Sequence, residues 1–180
     1  MKILNVYGSK IKGSSAIIVN RFLEISGKLG AEIESFPLDG ANITACKKCL
    51  SCKTKSDECI IRDDISKIFT SLVQSDILVL STGVYVGDVT REMYFLESRV
   101  FSFLKPDFET NPDPSQLPSG KKLLFNQVQS AEQDYHIDIY HRYQRLFHMH
   151  GFSNIYVIHV HDNAAPDDLF TNDEPMIPAK

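Results

Sequence analysis

At 180 residues, 43% hydrophobic and 23% charged, the chain is long enough for one globular domain with a sizeable core. A net charge of −4 offers no basic footprint for nucleic acid, and no apolar run approaches the length of a membrane span. The opening MKILNVYGS lacks signal-peptide architecture, so the expected setting is cytoplasmic, with thiols kept reduced and partners among small molecules or other proteins.

KILNVY, Lys2–Tyr7, predicts a buried strand ending at Gly8, and GSKIKGSS a loop. Ile18, Phe22, Ile25 and Leu29 then form the apolar stripe of a helix, with Ser14 or Ser15 as N-cap and Gly30 as its stop. AEIESFPL predicts a second strand. The cysteine-bearing segment after it has no apolar period. Asp63 or Asp64 caps a short helix whose Ile65, Ile68, Leu72 and Val73 face inward. DILVLST, Asp76–Thr82, is the continuous aliphatic run of a strand buried on both faces. A helix from Val89 to Leu104 buries Met93, Leu96, Val100 and Phe103, and Arg91, Glu92, Glu97 and Arg99 are spaced for surface ion pairs. The stretch with Pro106, Pro112, Pro114 and Pro118 predicts a surface loop with room to move. KLLFNQ is a fourth strand. Ile139, Tyr143, Leu146 and His150 mark one side of a helix closed by Gly151, and NIYVIHV is a fifth strand.

Strands alternating with helices predict an α/β protein with a parallel sheet, helices on both faces, and the five-stranded order 2-1-3-4-5 in three α/β/α layers. The expected organisation is one domain, 1–162, with a Cys-rich loop at 45–60 and a Pro-rich loop at 105–120. An acidic C-terminal tail, 163–180, is expected to be poorly ordered or to dock on a partner subunit. Ligands of such sheets sit beyond the carboxyl ends of the strands, beside strand 1. GSKIKGSS, STGVYVGDVT, NQVQSAEQD and the cysteine loop all fall on that edge.

GSKIKGSS places Gly8 and Gly13 just before a helix, where backbone N–H groups and hydroxyls suit one terminal phosphate. It matches neither the P-loop nor the dinucleotide fingerprint, and a plain strand-to-helix turn is the alternative. In STGVYVGDVT, Gly83 and Gly87 let the backbone approach a flat ligand, and Tyr85 and Val86 offer it an aromatic and an apolar surface, as a flavin ring needs. All four cysteines of the chain form the pattern C-x2-C-x2-C-x6-C, from Cys46 through Cys49 and Cys52 to Cys59. Consecutive C-x2-C steps fit a cuboidal 4Fe–4S cluster better than the two separated hooks of a zinc site. Lys47, Lys48, Lys53 and Lys55 would offset the cluster's negative charge. Unliganded or redox-active thiols, and zinc, remain as alternatives. His159, His161 and Asp162 read as polar positions at a strand end, with metal binding as their alternative. His141, His148 and His150 lack the i,i+4 pairing of a zinc helix.

KILNVYGSKIKGSS, CKKCLSCKTKSDECIIRDD, DILVLSTGVYVGDVTREMYFLESR and LFHMHGF together resemble the iron–sulfur flavoproteins, within the wider NADPH-dependent FMN reductase group. The resemblance runs from Met1 to about Val160. It implies a flavodoxin-like, doubly wound FMN-binding domain and an FMN-dependent oxidoreductase. It implies Cys46, Cys49, Cys52 and Cys59 as ligands of a 4Fe–4S cluster that passes electrons to the flavin. It maps the FMN phosphate to Ser9, Lys10, Lys12, Gly13, Ser14 and Ser15, and the isoalloxazine to Thr82, Gly83, Val84, Tyr85, Val86 and Gly87. It implies a ferredoxin or NAD(P)H as electron donor, a small-molecule acceptor such as a quinone, and a homodimer or homotetramer with flavin near subunit interfaces. Lys10, Ile11 and Ala16 stand where the family carries proline, arginine and threonine, Gly83 replaces a common proline, and the third loop lacks a glycine run. A cluster-free NAD(P)H-dependent FMN or quinone reductase and a non-enzymatic flavodoxin-like binding module are the two competing functions.

Overall fold

The structure is a computed structural model that describes residues 1–9, 13–132 and 134–161. Five strands, β1 (Lys2–Tyr7), β2 (Glu32–Pro37), β3 (Ile77–Gly83), β4 (Lys121–Val128) and β5 (Phe152–Val160), pair in parallel in the order β2-β1-β3-β4-β5. That is the order the alternation predicts. The connecting helices are α1 (Ser14–Lys28), α2 (Ser51–Thr54), α3 (Asp64–Gln74), α4 (Arg91–Val100) and α5 (Ile137–Met149), with a 3-10 turn, Phe101–Phe103, prolonging α4. Successive strand residues point to opposite faces, so the sheet feeds two cores. Leu4, Val6, Leu78, Leu80, Leu123 and Phe125 meet α3, α4 and α5, whereas Ile3, Tyr7, Val79 and Leu124 meet α1.

The face that α1 buries differs from the predicted stripe. Ala16, Val19 and Leu23 pack on the sheet with Ser15 and Ser26 buried beside them, while Ile25 and Leu29 are 44% and 82% exposed. One residue along a helix is a rotation of about 100°, so the two stripes are neighbours, and the one with small side chains lets the helix approach the sheet closely. Neither Ser14 nor Ser15 caps α1. Its N-cap is Gly13, which supplies no side chain to the first turn. The stop at Gly30 is as predicted: at φ +87° it closes a pair of end bonds, Gly30 N–H to the Gly27 carbonyl and Ala31 N–H to that of Ser26, both 3.0 Å.

Asp63 caps α3 in a reciprocal box, accepting from Ile65 N–H at 3.1 Å while Ser66 Oγ accepts from Asp63 N–H at 3.2 Å. Such a cap contributes ~1 kcal/mol. Phe69 takes the inward place expected of Val73, which is exposed. On α4, Met93, Leu96 and Val100 are buried as predicted, but Phe103 only partly. Arg91 and Glu92 do form an exposed pair. Glu97 does not: it faces Arg142 of α5. Arg99 is 1% exposed and pairs with the equally buried Asp63 at 3.0 Å. The two later charges of α4, Glu97 and Arg99, thus face α5 and the start of α3 rather than solvent. The Pro-rich loop is tied down by Lys105 N–H to the Pro114 carbonyl (2.8 Å) and Gln116 N–H to that of Phe103 (2.7 Å), with Leu117 buried beneath it. Among the described residues no helix is long and apolar enough to cross a membrane. The expectations for Lys10, Lys12 and the tail from Asp162 onward lie outside the described residues.

Candidate functional site

The helix α4 lines a cavity toward each of its ends. The first lies at the carboxyl ends of β1 and β3, has a volume of about 310 Å³, and is lined by Gly8, Ser9, Asp39, Gly83, Val84, Tyr85, Thr90 and Glu92. Gly8 is there because nothing larger fits: a Cβ would lie 2.6 Å from the Met93 methyl and 3.2 Å from the Ser81 carbonyl. The Gly8 carbonyl accepts from Thr90 Oγ1 at 2.5 Å, and Gly83 N–H donates to Ser9 Oγ at 2.8 Å. These bonds fasten the first loop to the second across the switch point. Beneath them, Ser81 Oγ and Asn126 Nδ2 both donate to the Ser15 carbonyl, at 3.1 and 2.7 Å, and fix where α1 begins. That start carries no side-chain cap and no acidic residue. Its positive dipole end is therefore open to an anion, whereas Asp39 and Glu92 make the adjoining cavity unfavourable for one.

The second loop is a tight hairpin. Tyr85 N–H donates to the Asp88 carbonyl at 2.7 Å, and Val86 and Gly87 both have positive φ, +52° and +82°. A β-branched residue there is strained. Tyr85 and Val86 are 76% and 89% exposed, so the turn holds an aromatic and an apolar side chain out in solvent. Asp88 is gripped by Arg142 of α5 through two bonds of 2.6 and 3.0 Å. That hydrogen bonding keeps the Asp88 carboxyl below its ordinary pKa against the opposing effect of burial.

Of the residues expected to hold FMN, the structure brings Ser9, Gly83, Val84 and Tyr85 to one cavity. Gly13 and Ser14 stand at the adjoining helix start. Thr82 and Ser15 are buried. Thr82 Oγ1 donates to the Gly83 carbonyl at 2.9 Å and orients the loop from behind. Sequence reasoning missed Asp39, Thr90, Glu92 and the Asp88–Arg142 clamp. Only Thr90 left a signal, as a threonine directly before a helix.

The second cavity, about 520 Å³, is lined by all four cysteines together with Leu50, Ile60, Ile61, Tyr94, Ser98 and Arg99 among others. The segment reaches it by an irregular path, with Lys48 at φ +52° and Leu50 at φ +55° on either side of Cys49. Strain of this kind persists only where surrounding contacts impose it. Here Cys46 N–H donates to Ser98 Oγ (3.0 Å), Thr44 N–H to Asp63 Oδ2 (2.9 Å) and Asn42 N–H to Asp64 Oδ2 (2.9 Å). Lys53 stands beside Cys52, and its Nζ also reaches the carbonyls of Leu104 and Ser102 and lies 4.7 Å from the Phe101 ring centroid. Burial pushes the Cys52 thiol up against the opposing charge of Lys53, and the nearby Cys59 and Cys46 add to the rise. The Ser51 backbone N–H pulls the Cys49 thiol down, and Lys48 N–H lies 3.5 Å from Cys46 Sγ.

Among the described residues, no three His, Cys, Asp or Glu side chains stand close enough to hold one metal ion. A cuboidal cluster spreads its thiolates over the corners of a cage wider than a single ion. Four thiols around one largely apolar cavity, with backbone N–H groups near sulfur, fit that group better than they fit zinc. His159 and His161 lie 5.9 Å apart, centroid to centroid, and burial holds the His159 imidazole below its ordinary pKa. The proposed third ligand, Asp162, is outside the described residues.

A doubly wound sheet with its cavity at the β1–β3 switch point defines the flavodoxin-like class of cofactor proteins. Within that class, the sequence model of the family described as NADPH-dependent FMN reductase matches residues 1–94, and the chain belongs to this family. It is similar to an iron–sulfur flavoprotein of Methanocaldococcus jannaschii, 30% identical over 104 residues, which cover 58% of this chain and 52% of that one. An iron–sulfur flavoprotein of Archaeoglobus fulgidus is 36% identical over 90 residues, 50% of this chain and 44% of that one. The chain thus spans about half the length of the curated relatives it matches. Among solved structures, an NAD(P)H:quinone oxidoreductase from Methanothermobacter marburgensis superposes with a TM-score of 0.70 at 12% identity, covering 94% of this chain and 87% of that one. An FMN-dependent NADH-azoreductase from Bacillus anthracis, solved with FMN, has a TM-score of 0.69 at 16% identity, covering 94% and 91%. At such identities these two speak for the fold alone.

Proposed function

We propose that this chain is an FMN-dependent oxidoreductase in which a 4Fe–4S cluster, held by Cys46, Cys49, Cys52 and Cys59, passes electrons to the flavin. The observation that carries the reading is the placement of both cavities on one helix: Thr90 and Glu92 at the start of α4 wall the switch-point cavity, and Tyr94, Ser98 and Arg99 wall the cysteine cavity. When bound, the cluster supplies one-electron and the flavin two-electron chemistry. The chain's own residues bind and orient. Ser9, Gly13, Ser14 and the uncapped first turn of α1 receive the phosphate, with Lys10 and Lys12 from the same loop, and buried Ser15 holds the turn in place. Gly83, Val84, Tyr85, Val86 and Gly87 flank the ring, and Thr82 orients them. No side chain is assigned as acid or base. A ferredoxin or NAD(P)H as donor, a small-molecule acceptor such as a quinone, a cytoplasmic setting and a homodimeric or homotetrameric assembly complete the proposal.

Anaerobic purification followed by visible spectra, iron and acid-labile sulfide analysis and flavin titration tests it. FMN binding together with a full 4Fe–4S complement is the expected result, and a colourless protein that takes up neither overturns the reading. A second reading, a cluster-free NAD(P)H-dependent FMN or quinone reductase, is favoured by the match of residues 1–94 to the family described as NADPH-dependent FMN reductase. It is distinguished by flavin without iron and by hydride transfer from NADPH in a stopped-flow trace.

A further inference from the structure

Arg99 poses a physical problem. Its guanidinium and the Asp63 carboxylate are 1% and 4% exposed, and taking two charges out of water is costly unless each finds close partners. Its partners are distributed in a telling way. Nη1 donates to Asp63 Oδ2 at 3.0 Å and to the Thr44 carbonyl at 2.9 Å, and Nη2 donates to the Ile61 carbonyl at 3.0 Å. Thr44 lies two residues before Cys46, and Ile61 two residues after Cys59. One planar fork therefore grips both ends of the segment that carries all four cysteines, which a lysine, as a point charge, cannot do. Asp63 completes the closure by accepting Thr44 N–H at 2.9 Å while capping α3. Ser98, one position earlier on α4, receives Cys46 N–H.

The clasp is not fully used up by these bonds. Arg99 Nε is buried and has no hydrogen-bond partner among the described residues, and Arg99 lines the cysteine cavity. It also lines the neighbouring cavity of about 310 Å³ that has Cys59 on its wall. Buried N–H groups generally find an acceptor. On the wall of a cavity ringed by thiols, that donor suits thiolate sulfur or an anionic occupant.

We infer that Arg99 is the positioning residue of the cysteine cage: its fork closes the segment between Thr44 and Ile61, and its buried charge and free Nε–H favour the more negative, reduced state of whatever the four thiolates hold. The inference rests on the reading of the four cysteines as one cluster cage. Removing Arg99 then has two effects, a looser cage and a less easily reduced occupant. Removing the Asp63 charge loosens the cage too, but shifts the potential the other way, because the arginine is left unneutralised.

The test uses the full chain, anaerobically reconstituted with iron and sulfide, in wild type, R99Q, R99K and D63N forms. Circular dichroism and FMN titration identify which variants are folded. Loss of iron to a chelator and the reduction potential, followed by visible and EPR spectra, are the readouts. R99Q is expected to lose iron about tenfold faster and to be about tenfold harder to reduce, which is ~59 mV for a one-electron couple. D63N is expected to lose iron faster with a potential shifted positive. R99K, which keeps the charge but not the Nε–H, is expected to have a potential between those of wild type and R99Q and to lose iron several-fold faster. If R99Q does not fold, R99K and D63N decide. Wild-type iron retention in the folded arginine variant, or shifts of the same sign in the arginine and aspartate variants, overturns the inference while leaving the cluster reading intact. Failure of the wild-type chain to take up iron overturns the cluster reading itself, and the inference with it.

Discussion

Single residues carry the constraints that bring the two loops of the switch-point cavity together. Gly8 is the sharpest case, since its missing side chain is what allows β1 to end against Met93 and Ser81. The Met93 methyl can swing aside, but its Cβ and the Ser81 carbonyl, each 3.2 Å from where an alanine methyl would lie, cannot. G8A is therefore expected to cost ~1–3 kcal/mol, the range for overpacking a well-filled interior, and to weaken FMN binding by displacing Ser9. Urea melts with and without FMN, combined with flavin fluorescence titration, check both effects. Gly8 could be flagged in the sequence as a strand-ending glycine, but the close approach that makes it necessary is a property of α4 crossing over it. Arg99 shows the opposite limit. Its helical spacing from Glu92 and Glu97 is that of a surface charge. Its burial follows from a segment 36 residues away in sequence, at Asp63, folding over it.

Among the elements, α4 and α5 act as the frame on which both loops are hung. The hairpin Tyr85–Asp88 is closed by one reciprocal pair of backbone hydrogen bonds, 2.7 and 3.2 Å, and Val86 is strained in it, so contacts from outside help to hold its shape. Arg142 on α5 does this through Asp88, and it reaches on to Glu97 of α4 at 3.4 Å. Burial raises the Glu97 carboxyl's pKa, with the Arg142 charge opposing it. Both partners of the Asp88–Arg142 pair are partly solvent-exposed, so the pair stabilises the fold little and matters mainly for the turn's position. R142M is expected to weaken FMN binding roughly two- to fivefold, equivalent to ~0.4–1 kcal/mol, with the melting temperature nearly unchanged. An unchanged FMN affinity would remove the clamp from the site. The helix α5 was visible in the sequence through Ile139, Tyr143 and His150. The role of Arg142 was not, because the apolar period says which side is buried and nothing about what the flanking charges meet.

At the level of the whole molecule, the carboxyl ends of α4 and α5 are tied through His150. The residue is 1% exposed, and its ring nitrogens lie 2.7 Å from the Leu146 carbonyl on α5 and 3.0 Å from the Val100 carbonyl at the end of α4. Burial lowers its pKa below the ordinary histidine value, although the two carbonyls pull in the other direction. The unfolded chain therefore binds the proton more readily, at about 6.5, than the folded one. Its contribution to stability is present above that pH and is lost as the pH falls through 6.5 toward the folded value. His159, lowered by burial as well, acts with the same sign. Denaturation midpoints measured from pH 8 to pH 5 are expected to fall on the acid side, and H150Q, though less stable at pH 8, is expected to flatten that limb. An acid limb as steep in H150Q as in wild type would assign the effect elsewhere. By itself the sequence determined the alternation of strands and helices, the strand order, and the gathering of all four cysteines into one short segment, because these are written in local periodicity and in chain neighbours. Tertiary structure alone decided which stripe of α1 is buried, that Thr82 and Ser15 support the site from behind, and that α4 walls both cavities. It also decided that Arg99 closes the cysteine segment. Those outcomes depend on which surfaces meet across the sheet, and residues distant in the chain acquire their partners only when it closes.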